Sequence, residues 1–133
     1  MEDEELSRNI IGCAMRVHAT LGPGFLESVY EKALAHELLK NGLKVDCQRS
    51  LQVFYDGVVV GDFVADMLVE DRIIIENKSV SNLVTPHEIQ LVNYLTATNL
   101  EFGILLNFGA PSLEFKRKHR KYRRTNQNTL AKQ

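Results

Sequence analysis

The stretch Ile73-Ile74-Ile75-Glu76-Asn77-Lys78 limits the fold more than any other part of the chain. Three consecutive β-branched residues are apolar on both faces, so they suit a strand that is covered on both sides. Such a strand belongs at the centre of a sheet with helices above and below. Glu76 and Lys78 follow at once. Two apart on a strand, they share a face. Charges seldom enter such an element without a partner or a task. The plainer alternative is a pair of solvated charges at a strand end.

The segments around this strand alternate in period. Apolar positions at helical spacing predict helices over about Glu4–Thr20 and Phe25–Lys40, separated by the breaker Leu21-Gly22-Pro23-Gly24. Asn41-Gly42 closes the second helix. Strand patterns follow at Leu43–Gln48, Leu51–Tyr55, Val58–Val60, Phe63–Val69 and Arg72–Lys78, with Asp56-Gly57 as a hairpin turn. A third helix is expected over about Pro86–Thr98, with Thr85 as N-cap and Glu88 completing a capping box. Glu101–Asn107 reads as another buried strand, and Leu113–Lys118 as a short edge strand. The fold class is therefore α/β or α+β, a mixed sheet flanked by helices. At 133 residues the chain is one domain, expected over 1–118, with a basic, flexible tail over 119–133.

Asp66 lies on the strand preceding Glu76 and Lys78. Two carboxylates from adjacent strands suit a hard divalent cation. Such a cation polarises a phosphodiester and acidifies water, and a lysine beside it can position the water or offset charge on the phosphorane. The register decides whether this site exists. A two-residue turn at Glu70-Asp71 puts Asp66 opposite Ile75, facing away from Glu76. A three-residue turn (Glu70, Asp71, Arg72) or a bulge puts it opposite Glu76, and one of these is expected. Gln90 and Tyr94 are four apart on the third helix and share a face. Both reach a phosphate if that face looks at the sheet; otherwise they are an ordinary half-buried amide and phenol. Glu27 and Tyr30 are neighbours on the second helix. Glu27 either extends the cation's shell or sits as a solvated first-turn acid favoured by the helix dipole.

These residues carry a resemblance. Gly24-Phe25-Leu26-Glu27-Ser28-Val29-Tyr30 reads G-x-x-E-x-x-Y. With the downstream series, the chain resembles the bacterial GxxExxY proteins, a branch of the PD-(D/E)xK nuclease superfamily, over roughly Ile10 to Phe115. Gln90-x-x-x-Tyr94 also resembles the QxxxY element of RecB-like nucleases. The resemblance implies a restriction-endonuclease-like core, with Mg²⁺ or Mn²⁺ as cofactor and nucleic acid as partner. It implies metal ligation by Asp66 and Glu76, with Glu27 as the helix glutamate. It makes Lys78 the catalytic lysine and Gln90 and Tyr94 the supporting pair. Some relatives carry a metal-binding histidine on the first helix. His18 matches that place, though a histidine at the core edge is the preferred reading. The function implied is hydrolysis of nucleic-acid phosphodiesters, DNA ahead of RNA. The rival is a catalytically silent nucleic-acid-binding or protein-interaction module with the same fold.

Charge is unevenly spread. Residues 1–80 hold 14 acids and 8 bases, whereas residues 81–133 hold 3 acids and 8 bases. Seven of those later bases are Lys116, Arg117, Lys118, Arg120, Lys121, Arg123 and Arg124. With Tyr122 available to stack on a base, this run reads as a phosphate-gripping arm, or else as a solvated chain end. No apolar run is long enough to cross a bilayer, so no membrane partner is expected. The acidic opening Met1–Glu5 reads as neither a signal nor a transit peptide. Cys13 and Cys47 lack metal or disulfide spacing. Two free thiols suit a reducing compartment, and the cytoplasm is expected. The small size suggests a homodimer, since one such domain covers little of a duplex.

Overall fold

The structure, a computed structural model, describes residues 1–120. The elements run α1 (Asp3–Leu21), α2 (Glu27–Lys40), β1 (Val45–Tyr55), β2 (Val58–Val69), β3 (Ile73–Lys78), α3 (Thr85–Thr98), β4 (Phe102–Asn107) and β5 (Glu114–His119). The strands form one five-stranded sheet in the order β1-β2-β3-β4-β5. All neighbours are antiparallel except β3 and β4, which α3 connects in parallel. This is an α+β fold with a mixed sheet and a restriction-endonuclease-like core.

The isoleucine run behaves as its composition requires. Ile73 and Ile75 pack into the cluster that includes Leu6, Ile10 and Ala14 of α1 and Tyr30, Leu34 and Leu38 of α2. Ile74 packs the other way, with Leu91 and Leu95 of α3. β4 repeats the division: Ile104 and Leu106 face α1 and α2, and Leu105 faces α3. β3 is thus covered on both faces by helices, α1 and α2 on one and α3 on the other, and all three isoleucines are fully buried.

Several boundaries differ from the sequence reading. The four expected strand pieces between residues 43 and 69 are two long strands. The polar residues that looked like breaks pair across the ladder: Ser50 with Val64, Gln52 with Asp62, and Val53 with Gly61. A bulge at Val53/Phe54 bends the hairpin without ending it. The Asp56-Gly57 turn is as expected, with both residues at positive φ. Thr85 is the first residue of α3 rather than its cap. Val84 takes the cap position, and its N–H donates to His87 Nδ1 (3.3 Å). With Val84 as the cap, His87 rather than Glu88 holds the third helical position, and Glu88 pairs instead with Lys118 Nζ at 2.9 Å. The last edge strand, expected over Leu113–Lys118, runs Glu114–His119, one residue into the expected tail. Lys121, Tyr122, Arg123 and Arg124 lie outside the described residues.

Asn107, at the end of β4, pins the loop that leaves β3. Its Oδ1 accepts the N–H groups of Val80 and Gly109 (3.0 Å each). Its Nδ2 donates to Val80 O and Glu114 Oε1 (2.9 Å each). That satisfies every donor and acceptor of a fully buried amide. Gly109 permits the close approach, since a Cβ there would lie 2.5 Å from Val80 N. Gly109→Ala is expected to destabilise the fold by about 1–3 kcal/mol, the usual range for overpacking. Urea unfolding checks this, and an unchanged midpoint would show that the Val80 loop yields freely.

Candidate active site

The turn between β2 and β3 has three residues. Val69 pairs with Ile73, and Arg72 N–H donates to Val69 O (3.0 Å). Glu70 and Asp71 both take left-handed backbone, at φ 55° and 56°. Contacts to Lys44 hold them there: Lys44 N–H donates to Glu70 Oε2 (2.6 Å), and Lys44 Nζ pairs with Asp71 (2.8 Å). This register places Met67 opposite Ile75 and therefore Asp66 opposite Glu76.

The ladder between the two strands ends at Met67–Ile75. Beyond it, side chains replace the backbone pairing. Asp66 N–H donates to Glu76 Oε2 (3.2 Å), and Asn77 N–H donates to Asp66 Oδ2 (2.7 Å). Each carboxylate is thus held by the backbone of the other strand. Lys78 ends β3 half-buried, and its charge acts on both acids. Its backbone is fixed by Phe108 N–H, which donates to Lys78 O (2.9 Å).

The electrostatics are those of a confined anionic pair. Glu76 is 7% exposed. Burial, then the charge of Asp66, pushes its carboxyl up to about 7, and Glu27 adds to the rise. The bond from Asp66 N–H and the charge of Lys78 act against it. Burial also raises Asp66, opposed by the Asn77 N–H and Lys78. Tyr94 is raised by burial and, less, by the charges of both carboxylates. Its ring stacks on Phe63 of β2 (3.7 Å between centroids, 9° between planes). Gln90, one turn earlier on α3, is exposed and makes no side-chain hydrogen bond among the described residues.

The G-x-x-E-x-x-Y segment has a clear structural logic. Tyr30 is buried and stacks on Phe108 (4.6 Å, 7°). Its hydroxyl donates to Gly22 O (2.5 Å) and accepts Phe25 N–H (3.2 Å). Ser79, next to Lys78, donates its hydroxyl to Phe25 O (2.7 Å). The tyrosine therefore closes the loop, and the serine ties it to the end of β3. Glu27 then starts α2 close enough to act on Glu76. The sequence had set Glu27 and Tyr30 side by side; the roles of Ser79 and Asn107 carried no signal that marks them in a single sequence.

Other expected residues fall elsewhere. His18 Nε2 lies 2.9 Å from Ala110 O, and its ring stacks on Phe108, so it serves the core edge. Arg117 donates to Ser7 Oγ (2.8 Å), Lys118 pairs with Glu88, and Arg120 pairs with Glu101. Lys116 is exposed and lies on the cross-strand row Glu76–Leu105–Lys116. Two strand spacings put it roughly 10 Å from Glu76.

Among the described residues, no three His, Cys, Asp or Glu side chains converge into a ready cation cage. The donors on offer are Asp66 and Glu76, with Glu27 within electrostatic reach. Two hard oxygen ligands suit Mg²⁺, which keeps waters and takes phosphate oxygens for the rest of its shell. Burial and then the charge of Asp66 lift Glu76, and a bound cation would offset both.

The family model of the PD-(D/E)XK nuclease superfamily matches residues 4–118. The chain belongs to the PD-(D/E)XK nuclease superfamily. A solved structure titled "Crystal structure of SSO0001" shares the fold, with a TM-score of 0.57 and 19% identity. The match covers 80% of this chain and 59% of that one, so the chain spans less than two thirds of that structure's length. No curated protein matches the chain. PD-(D/E)XK nucleases generally use divalent metals, which agrees with the donor set found here.

The raised Glu76 carboxyl has a signed consequence for stability. The folded protein binds this proton more tightly than the unfolded chain does. The contribution is complete below the ordinary carboxyl value of 4.5 and is lost as pH rises to about 7. Glu76→Gln, which keeps an acceptor for Asp66 N–H, is expected to stabilise the metal-free protein at pH 8 by on the order of 2 kcal/mol. The gain shrinks toward pH 5. Urea melts in EDTA at the two pH values measure the difference; equal gains at both would refute the buried anion.

Proposed function

We propose that this protein is a metal-dependent nuclease that hydrolyses nucleic-acid phosphodiesters, DNA ahead of RNA, with Mg²⁺ or Mn²⁺ at Asp66 and Glu76. The observation that carries the reading is the cross-bonded Asp66–Glu76 pair beside Lys78 in a chain of this superfamily. The D and the ExK of the family name are then Asp66, Glu76 and Lys78, and Glu27 is a further metal ligand. The G-x-x-E-x-x-Y segment supports membership of the GxxExxY branch.

In the reaction a water oxygen bonds to phosphorus and a P–O ester bond breaks. A phosphate monoester and a hydroxyl result, the departing oxygen taking up a proton. A divalent cation bound at Asp66 and Glu76 supplies positive charge against the phosphoryl oxygens and acidifies water. Lys78 orients the attacking water and offsets negative charge on the phosphorane. Tyr94, rigid on Phe63, donates a hydrogen bond to a phosphate oxygen, and Gln90 binds the backbone beside it. Lys116, Lys121, Arg123 and Arg124 bind phosphates along the strand, with Tyr122 stacking on a base, while Arg117, Lys118 and Arg120 join them only by giving up Ser7, Glu88 and Glu101. No helix among the described residues is long and apolar enough to cross a membrane. The free cysteines fit a reducing compartment, and the protein acts in the cytoplasm as a homodimer that spans a duplex.

The direct test is cleavage of single- and double-stranded DNA and RNA in Mg²⁺, Mn²⁺ or EDTA. Metal-dependent cutting is expected, reduced about 100-fold or more in Lys78→Ala. A folded wild type that binds nucleic acid yet cuts nothing in either metal would point to the silent binding module instead. Replacing Lys116, Lys121, Arg123 and Arg124 with glutamine is expected to weaken DNA binding. It should also flatten the log–log salt dependence by about 0.9 for each phosphate no longer neutralised. Unchanged binding would remove these bases from the interface.

A further inference from the structure

The β1–β2 ladder is interrupted at one place besides the bulge near the hairpin tip. Cys47 pairs with Met67 and Arg49 with Ala65, yet Gln48 and Asp66, which stand opposite each other, form no ladder pair. Gln48 takes left-handed backbone at φ 53°. The register is the same on both sides, so no residue has been inserted. Both strands instead turn over together. On one side of the break, Met67, Val69 and Val45 pack toward α1 and α2. On the other, Ala65, Phe63 and Leu51 pack toward α3. All six positions are odd-numbered and would share one face in an unbroken ribbon.

A second observation agrees. Successive strand residues point to opposite faces, but Cys47 and Gln48 both lie near the same carboxylate on α2. Gln48 Nε2 donates to Glu31 Oε1 (2.8 Å), and the charge of Glu31 also acts on the Cys47 thiol. A reversal of the chain between them accounts for both side chains on one side. Glu31 lies near enough to Asp66 to feel its charge.

We infer that Gln48 is a positioning residue for Asp66. Its left-handed backbone, clasped by Glu31, makes the paired break at which Asp66 leaves the β1–β2 ladder and bonds instead to Glu76 and Asn77. Its catalytic consequence rests on the nuclease reading; its structural consequence does not. A left-handed conformation is unfavourable for most residues, is free for glycine and is tolerated by asparagine. It is strongly resisted by β-branched valine. The backbone, rather than the amide group, is therefore what the site needs from position 48.

The test compares Gln48→Val, Gln48→Gly and Gln48→Asn. The first readout is hydrogen exchange at the Asp66 and Asn77 amides by NMR, the second Mn²⁺ affinity by calorimetry. Gln48→Val is expected to speed exchange at both amides and weaken Mn²⁺ binding at least tenfold, with β4 amides still protected. Gln48→Asn and Gln48→Gly are expected to stay within threefold of wild type. Wild-type exchange and affinity in Gln48→Val would overturn the inference, and so would equal losses in the valine and glycine variants. If the valine variant does not fold, Glu31→Ala decides: faster exchange at Asp66 and Asn77 supports the clasp, and unchanged exchange overturns it. A wild type that neither binds Mn²⁺ nor cuts nucleic acid would sink the nuclease reading alone. The exchange data would still decide the role of Gln48.

Discussion

Glu76 is a carboxylate carried almost out of water at the end of a strand whose other residues are core. Keeping an ionised group there requires partners, because desolvation favours its neutral form. The protein supplies them sparingly: one backbone N–H from Asp66 and the charge of Lys78. It also places a second carboxylate, Asp66, in the position that worsens the repulsion. The pair persists because each acid is anchored to the opposite strand, so neither can swing into solvent without giving up a bond. A structure with only stability to serve would replace both with apolar residues.

The rest of the fold maintains this geometry from several directions. The three-residue turn, held by Lys44, sets Asp66 across from Glu76. Asn107 and Gly109 lock the loop that follows Lys78, and Ser79 joins that loop to the segment preceding α2. Tyr30 fills the space beneath, stacked on Phe108, and closes the loop from which Glu27 enters. On the opposite face, Phe63 holds the Tyr94 ring flat. Buried, fully bonded elements thus fix the position of a small, electrostatically strained centre, as preorganised catalysis requires.

Much of this was legible in the residues. The isoleucine run announced a doubly covered strand, and the helices were readable from period and breakers to within two residues at their ends. The Asp66–Glu76 register followed from counting along the turn, with three residues as one of the two solutions. The two long strands were harder. Polar residues at Arg49–Ser50 and Gly61–Asp62 resemble turns locally, and only cross-strand pairing shows that the chain continues through them. The cap of α3 was misread because the helix begins one residue earlier, with Val84 as cap and His87 facing it, which leaves Glu88 to Lys118, thirty residues away. The basic run looked like a single arm, but Arg117, Lys118 and Arg120 are engaged with Ser7, Glu88 and Glu101.

By itself the sequence determined the alternation of helices and strands, the central position of β3 and the identity of the charged residues at its end, because those depend on local period and composition. Only the tertiary structure decided that Glu76 is desolvated, that Asp66 and Glu76 are cross-anchored, and that Tyr94 stacks on Phe63 within electrostatic range of both acids. It alone decided that Gln48 turns two strands over at Asp66. Burial, electrostatic coupling and ladder breaks arise where distant segments meet, and a residue's neighbours in sequence carry no record of them.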